Sequence, residues 1–216
     1  MDKQSVFSRV DHTLLKATAV WPEIEKLCQE ALTYGMATVC ISPSFVKRAK
    51  AGFPDLKVCT VIGFPLGYNT QEVKVREARQ ALRDGADEID MVVNLGQVKA
   101  GDFLAITEEI RALKAVAGEK VLKVIVETCY LNQAEKIALC GCVANGGADF
   151  IKTSTGFGSG GADAQDIMLF RQNLPPRVRI KASGGIRTAE AMEAMIQAGA
   201  DRIGASAAIT AYEGKD

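Results

Sequence analysis

The feature that most constrains this chain is an alternation of short β-branched runs with longer segments of helical period. Candidate strands lie at Ser8–Asp11, Ala37–Ile41, Lys57–Ile62, Glu88–Val92, Val121–Glu127, Asp149–Thr153, Val178–Ala182 and Arg202–Ala205. Their starts recur about every 28 residues, the length of a strand–helix unit. Runs such as LKVIVE and KVCTVI are almost continuously apolar, as parallel strands covered on both faces are. Between them, Gln71–Asp84 places Val75, Ala78 and Leu82 at helical spacing, and Leu104, Ile106, Ile110, Leu113 and Val116 read as the core stripe of another helix. A glycine stands where several helices should end, at Gly35, Gly85, Gly147 and Gly199, each just before a strand. Trp21-Pro22-Glu23 reads as a helix start with proline in its first turn. Eight such units fill the chain and predict an α/β fold, a single-domain (β/α)8 TIM barrel over residues 1–216. An open doubly wound sheet would carry GxGxxG after its first strand. The one glycine-rich run, Gly156–Gly161, follows the sixth strand with different spacing.

Composition narrows the function. Lys and Arg total 26 and Asp and Glu total 26, so the net charge is zero. A phosphate-backbone binder would show a basic excess, so no nucleic-acid partner is expected. No apolar run approaches the roughly 20 residues that span a bilayer, and no membrane partner is expected. The N-terminal MDKQSVFSRVDHTLL lacks the apolar core of a secretion signal, so a cytoplasmic location is expected. The six cysteines, Cys28, Cys40, Cys59, Cys129, Cys140 and Cys142, form no CxxC pair, and His12 is the only histidine. A zinc site is therefore not expected, and the thiols read as buried and reduced. With one histidine, which reads as structural, acid–base work falls to lysines and carboxylates.

Barrel enzymes gather their chemistry at the C-terminal ends of the strands. Here those ends are polar: Asp11-His12-Thr13, Cys40 and Ser42, Asp90 and Asn94, Lys123 and Glu127, Lys152-Thr153-Ser154-Thr155, and Lys181-Ala182-Ser183. A charge inside an apolar strand carries a desolvation cost, so it is either paired or functional. Lys152 and Lys181 fall at corresponding points of consecutive units, and neighbouring strands lie about 4.8 Å apart. Like charge and burial both lower a lysine pKa, and a free amine attacks carbonyls to form a Schiff base. The alternative is that both lysines are ion-paired across the barrel to Asp90 or Glu127. Asp90 is the natural carboxylate partner, or else a counter-ion for Lys123 or Lys152. Cys40 reads as a buried strand cysteine. Glycines after the seventh and eighth strands, Gly184, Gly185 and Gly204 with Ser206, suit a phosphate held by backbone N–H groups. Tight turns alone would also need glycine there.

These residues carry a resemblance. IKTSTGF (Ile151–Phe157), KASGGIR (Lys181–Arg187), EIDMVVNLG (Glu88–Gly96), VCISPSFV (Val39–Val46), DHTLL (Asp11–Leu15) and LKVIVET (Leu122–Thr128) together resemble the 2-deoxyribose-5-phosphate aldolase family, in family order and along the whole chain. The resemblance implies a class I aldolase, without metal or other cofactor. It would cleave 2-deoxy-D-ribose 5-phosphate reversibly to D-glyceraldehyde 3-phosphate and acetaldehyde, in deoxyribonucleoside catabolism. It implies Lys152 as the Schiff-base nucleophile and Lys181 as the lysine that lowers its pKa and assists proton transfer. Asp90 would shuttle protons through a water. Lys123 and Asp11 would support that relay and orient substrate hydroxyls. Thr13 and Cys40 would line the pocket. Thr155, Gly156, Gly184, Gly185, Gly204 and Ser206 would cradle the phosphate. The expected partners are a phosphosugar and aldehydes, with a homodimer or a homotetramer as the open alternatives for assembly.

The sequence departs from the family pattern at three points. Phe157 stands where some members carry a phosphate-binding lysine. Ala207 stands where some have a second serine. The tail ends in Glu213-Gly214-Lys215-Asp216, without a terminal tyrosine. Two other readings fit the barrel pattern: a sugar-phosphate isomerase or epimerase, and a non-catalytic phosphometabolite binder whose lysines only pair with acids.

Overall fold

A computed structural model describes residues 1–214. A short helix α1 (Lys3–Phe7) precedes the first strand, β1 (Val10–Leu14), which α2 (Trp21–Thr33) follows. The alternation continues through β2 (Thr38–Ile41), α3 (Val46–Gly52), β3 (Val58–Ile62), α4 (Gln71–Arg83) and β4 (Glu88–Val92). Two helices, α5 (Leu95–Lys99) and α6 (Phe103–Ala117), lead to β5 (Val121–Ile125), and α7 (Gln133–Asn145) to β6 (Phe150–Lys152). Then come α8 (Ala164–Asn173), β7 (Arg179–Ser183), α9 (Ala189–Gln197), β8 (Arg202–Ala205) and α10 (Ala208–Glu213). The strands pair in parallel in chain order, and β8 closes on β1 with Val10 opposite Ile203 and Asp11 opposite Gly204. The fold is the expected (β/α)8 TIM barrel.

All eight expected strands are present, with two informative displacements. The first begins at Val10 rather than Ser8, because Ser8 caps α1, and it runs on through Leu14. His12 and Thr13 are therefore strand residues and not the turn beyond the strand. The fifth ends at Ile125 rather than Glu127, where Glu127 takes a left-handed φ of 55° and turns the chain. Two of the helix-stop glycines illustrate why that residue is needed: Gly85 has φ 102° and Gly199 φ 114°, values that side chains with a Cβ rarely adopt. Helix α2 starts at Trp21 as expected, and the Glu23 carboxylate accepts the Val20 N–H at 2.9 Å.

The apolar core lies between the strands and the helices, built from residues such as Ile24, Ile106, Ile110, Phe170 and Met192. Two expected stripes are corrected here. Leu104 is 72% exposed, and the buried face of α6 is Ile106, Glu109, Ile110, Leu113 and Ala117, with Val116 half-buried. Leu104 precedes Ile106 by two residues, which on a helix is about 200° of rotation. On α4 the buried residues are Lys74, Ala78 and Ala81, while Val75 and Leu82 are half-buried. The helix turns Lys74 inward because its ammonium bonds the Glu109 carboxylate and the Val92 carbonyl, each at 2.9 Å. The barrel interior is different. Among the described residues a small apolar cluster there is Cys40, Cys59 and Val61, flanked by Leu15 and Phe64.

Five cysteines are buried and Cys129 is half-buried. His12 leaves the barrel outward and meets the Glu30 carboxylate on α2 at 2.9 Å, in keeping with a structural role. No helix among the described residues is long and apolar enough to cross a membrane. Lys215 and Asp216, the chain end at which no terminal tyrosine stands, lie outside the described residues.

Candidate active site in the barrel interior

Side chains alternate along a strand, so residues two apart share a face. Strand pairing then sets the inward residues side by side. Asp90 on β4 lies opposite Lys123 on β5, and Lys152 on β6 lies opposite Lys181 on β7. The lysine neighbours expected from the sequence are thus adjacent in the sheet. Both of their ammonium groups reach the same oxygen: Lys152 Nζ is 2.7 Å and Lys181 Nζ 2.8 Å from Asp90 Oδ2. Lys123 Nζ donates to the other oxygen, Asp90 Oδ1, at 2.8 Å, and the Cys59 thiol donates to it at 3.1 Å. Lys181 also pairs with Asp11 Oδ2. Asp90, Asp11, Lys123 and Lys181 are fully buried, and Lys152 is 3% exposed.

Of the two alternatives for the lysines, the geometry is that of the paired one. They are paired across the barrel, and the shared partner is Asp90. Glu127 is not that partner, because its carboxylate accepts the Thr155 N–H at 3.1 Å and the Thr155 hydroxyl. Burial alone would raise the Asp90 carboxyl pKa. The ammonium groups of Lys123, Lys152 and Lys181 outweigh it and hold that carboxyl well below the usual range. Asp11 is shifted the same way, with burial outweighed by Lys181, Lys123 and Arg202. Lys181 corrects an expectation. Burial would lower its pKa, but Asp11 and Asp90 more than offset burial and hold it above the ordinary lysine range. Lys181 is thus a fixed cation beside Lys152.

Cys40 is fully buried and does not line the open cavity. Its sulfur, that of Cys59 and an Asp90 oxygen lie within 4.8 Å of one another. The neighbouring Cys59 thiol holds Cys40 below the ordinary thiol range despite burial. Donor atoms this close could share a metal ion, but three lysine ammonium groups already converge on the same carboxylate. A dication there would meet three positive charges at contact distance, so the donor set suits a proton relay better than a metal.

Above the lysines opens a cavity of about 400 Å³ at the C-terminal end of the barrel. Its wall brings together Thr13, Thr155, Gly156, Gly184, Gly185, Gly204 and Ser206 from four different loops and strand ends. Gly204 is required there by close approach: a Cβ would fall 2.8 Å from Ser183 Cβ and 3.2 Å from Lys181 Cε. Thr13 donates its hydroxyl to the Asp11 carbonyl at 2.7 Å. Phe157 is 55% exposed and meets Phe64 edge-on at 5.3 Å between centroids, forming an aromatic side of the mouth. Two cations, Lys16 and Arg187, line the same cavity, and neither makes an ion pair among the described residues. Asp11 and Lys123 sit beneath this cavity, their polar atoms spent on Lys181, Asp90, Glu88 and Arg202.

The sequence reading passed over Glu88, Arg202, Cys59, Lys16 and Arg187. Glu88 stands two residues before Asp90, and Arg202 two before Gly204, so the strand period alone places them on the inward face. Lys16 and Arg187 are loop residues, and only the closed barrel brings them to one cavity.

A buried lysine triad around one carboxylate, under an anion-ready glycine rim in a parallel barrel, is a site for carbonyl chemistry. Residues 6–213 match the family described as DeoC/LacD family aldolase, and the chain belongs to that family. Its chemistry is therefore that of an aldolase, a carbon–carbon lyase. Among relatives, the deoxyribose-phosphate aldolase of Clostridium botulinum (strain Eklund 17B / Type B) is 50% identical, over 100% of this chain and 98% of the relative. That of Thermoanaerobacter sp. (strain X514) is 53% identical, over 97% of this chain and 96% of the relative. Among solved structures, the aldolase QR15 superposes with a TM-score of 0.92 at 42% identity, covering 96% of this chain and 94% of that one. The tetrameric deoxyribose phosphate aldolase of Aeropyrum pernix gives 0.88 at 31% identity, covering 98% and 91%.

Proposed function

We propose that this chain is a class I aldolase that cleaves 2-deoxy-D-ribose 5-phosphate reversibly to D-glyceraldehyde 3-phosphate and acetaldehyde, through a Schiff base on Lys152. The observation that carries the residue assignment is the shared bonding of Lys152 and Lys181 to one Asp90 oxygen below the cavity. The free amine of Lys152 attacks the C1 aldehyde of the open-chain sugar, and loss of water leaves an iminium ion. Asp90, through a water, takes the proton of the C3 hydroxyl as the C2–C3 bond breaks. The bonding pair passes to the iminium, giving an enamine on Lys152 and releasing glyceraldehyde 3-phosphate. Protonation at C2 and hydrolysis then free acetaldehyde and regenerate the amine. Lys181 stays protonated and stabilises the negative charge that develops nearby. Backbone N–H groups at Gly184, Gly185, Gly204 and Ser206 hold the phosphate, with Thr155 and Gly156 closing its rim. Lys16 and Arg187 supply the positive charge that Phe157 does not. Binding energy gained on the phosphate, remote from the breaking bond, steadies the substrate for the step. Thr13 and Phe157 bound the sugar-binding space.

No cofactor enters these steps. The tetrameric Aeropyrum pernix relative favours the homotetramer over the homodimer for assembly, and the place proposed for the reaction is cytoplasmic deoxyribonucleoside breakdown. Borohydride reduction in the presence of acetaldehyde tests the core of this reading. It is expected to leave a stable two-carbon adduct on Lys152, located by peptide mass spectrometry. An adduct on another residue, or labelling that survives in Lys152→Ala, overturns the assignment, and the absence of any adduct overturns the Schiff-base route.

A further inference from the structure

Glu88 and Arg202 take no part in the steps above, yet both sit in the barrel interior beneath Asp90. Arg202 Nη1 donates to Asp11 Oδ1 at 2.6 Å and lies 3.4 Å from Glu88 Oε2. Glu88 Oε2 is also 2.5 Å from Lys123 Nζ. The guanidinium is held from below by the Phe150 ring, 5.6 Å from its centroid, which Arg179 also stacks against at 4.1 Å. Burial would lower the Arg202 pKa, but Asp11 and Glu88 keep it firmly charged.

The ionisable groups facing this interior are Asp11, Cys40, Cys59, Glu88 and Asp90 from β1 to β4, and Lys123, Lys152, Lys181 and Arg202 from β5 to β8. With the thiols neutral, four cations face three carboxylates. Their partners are unequal. Lys123 meets three carboxylates, Lys181 and Arg202 meet two each, and Lys152 meets Asp90 alone. Buried charges are tolerated in proportion to the opposite charges around them, and Lys152 has the fewest of the four.

We propose that Glu88 and Arg202 are positioning residues that tie up Lys123 and Asp11, leave Lys152 with Asp90 as its single partner, and thereby select Lys152 as the lysine that reacts as a free amine. Glu88 holds Lys123 and Arg202, and Arg202 holds Asp11, which in turn holds Lys181. Each contact commits one cation or one carboxylate that would otherwise compete at Asp90. The proposal rests on the Schiff-base reading of Lys152.

Opposite changes of charge should move the pH dependence in opposite directions. Glu88→Gln removes an anion without changing shape, so every nearby ammonium loses its proton more readily. The acid limb of kcat/KM, and of the Lys152 adduct yield with acetaldehyde and borohydride, is expected to move down by about one pH unit. Arg202→Gln removes a cation and is expected to move the same limb up by about one unit. Arg202→Lys, which keeps the charge, should return it toward the wild-type position, and the double variant Glu88→Gln/Arg202→Gln should lie between the two singles. A merely structural role would lower the rate and leave the limb in place. Limbs that stay fixed, or that move the same way in both single variants, overturn the proposal. If Glu88→Gln does not fold, the Arg202→Gln and Arg202→Lys pair decides it alone. Failure of the underlying reading shows separately, as a wild-type enzyme that yields no Lys152 adduct at any pH.

Discussion

Lys74 and Glu109 form a buried ion pair in the layer between barrel and helices, while Asp90 and its three lysines form a buried network inside the barrel. The two respond to burial in opposite ways. Burial pushes Lys74 down and Glu109 up, and their attraction does not recover what desolvation costs. Inside the barrel the balance reverses: Asp90 is held down and Lys181 up, because each faces two or more opposite charges. One partner does not offset the loss of water, whereas several do. The outer layer is therefore mainly apolar core, with Lys74–Glu109 and His12–Glu30 among its polar contacts, and the interior gives up apolar packing for a charged cluster that chemistry can use.

Three changes test this contrast, in order of expected size. Asp90→Asn removes the anion common to all three lysines. It should lower kcat by about a thousandfold or more and destabilise the fold by about 3–5 kcal/mol, read in urea unfolding, since the cations left behind lose their shared partner. It should also change the acid dependence. The Asp90 carboxyl is depressed in the folded state, so its stabilisation is full above the unfolded value of about 3.9 and is lost as pH falls through the lower folded value. Wild type should therefore keep losing stability below pH 4 through this group, and the variant should lack that part of the slope. An unchanged acid profile would mean that Asp90 is not the hub.

Lys74→Met strands Glu109 in the outer layer and should cost about 3 kcal/mol in the same assay, with the pH dependence of kcat unmoved. Replacing both groups, as Lys74→Met/Glu109→Leu, should bring the cost to about 1 kcal/mol or less. A double variant as damaged as the single would show that the pair stabilises the fold, contrary to the contrast drawn here. The smallest effect is expected at the mouth. Lys16→Gln should raise KM for the phosphorylated sugar several-fold with kcat little changed, and leave KM for a non-phosphorylated aldehyde alone. Equal changes for both substrates would place Lys16 outside the phosphate-binding rim.

Much of the fold is readable in the chain. Strand period, helix period and helix-stop glycines all report on neighbours within a few residues, and such patterns specify a repeated strand–helix unit. The errors fall where local pattern meets a tertiary demand. Leu104 fits a stripe by composition but faces water. Val75 and Leu82 fit a stripe on α4, but Glu109, 35 residues away from Lys74, draws Lys74 into the buried face instead. Ser8 reads as strand until α1 claims it as a cap.

The same division holds at the site. The order of residues alone determined that Lys152 and Lys181 fall at corresponding points of consecutive strand–helix units, that Asp90 is the carboxylate suited to partner them, and that glycines follow the last two strands. Only closure of the barrel decided that three lysines converge on one carboxylate, that Asp11 and Asp90 hold Lys181 charged, and that Glu88 and Arg202 pair with Lys123 and Asp11. The reason is distance along the chain. Arg202 and Asp11 are 191 residues apart and touch only because β8 pairs with β1. Whether a buried charge is a cost or a tool depends on how many opposite charges surround it, and that number exists only in three dimensions.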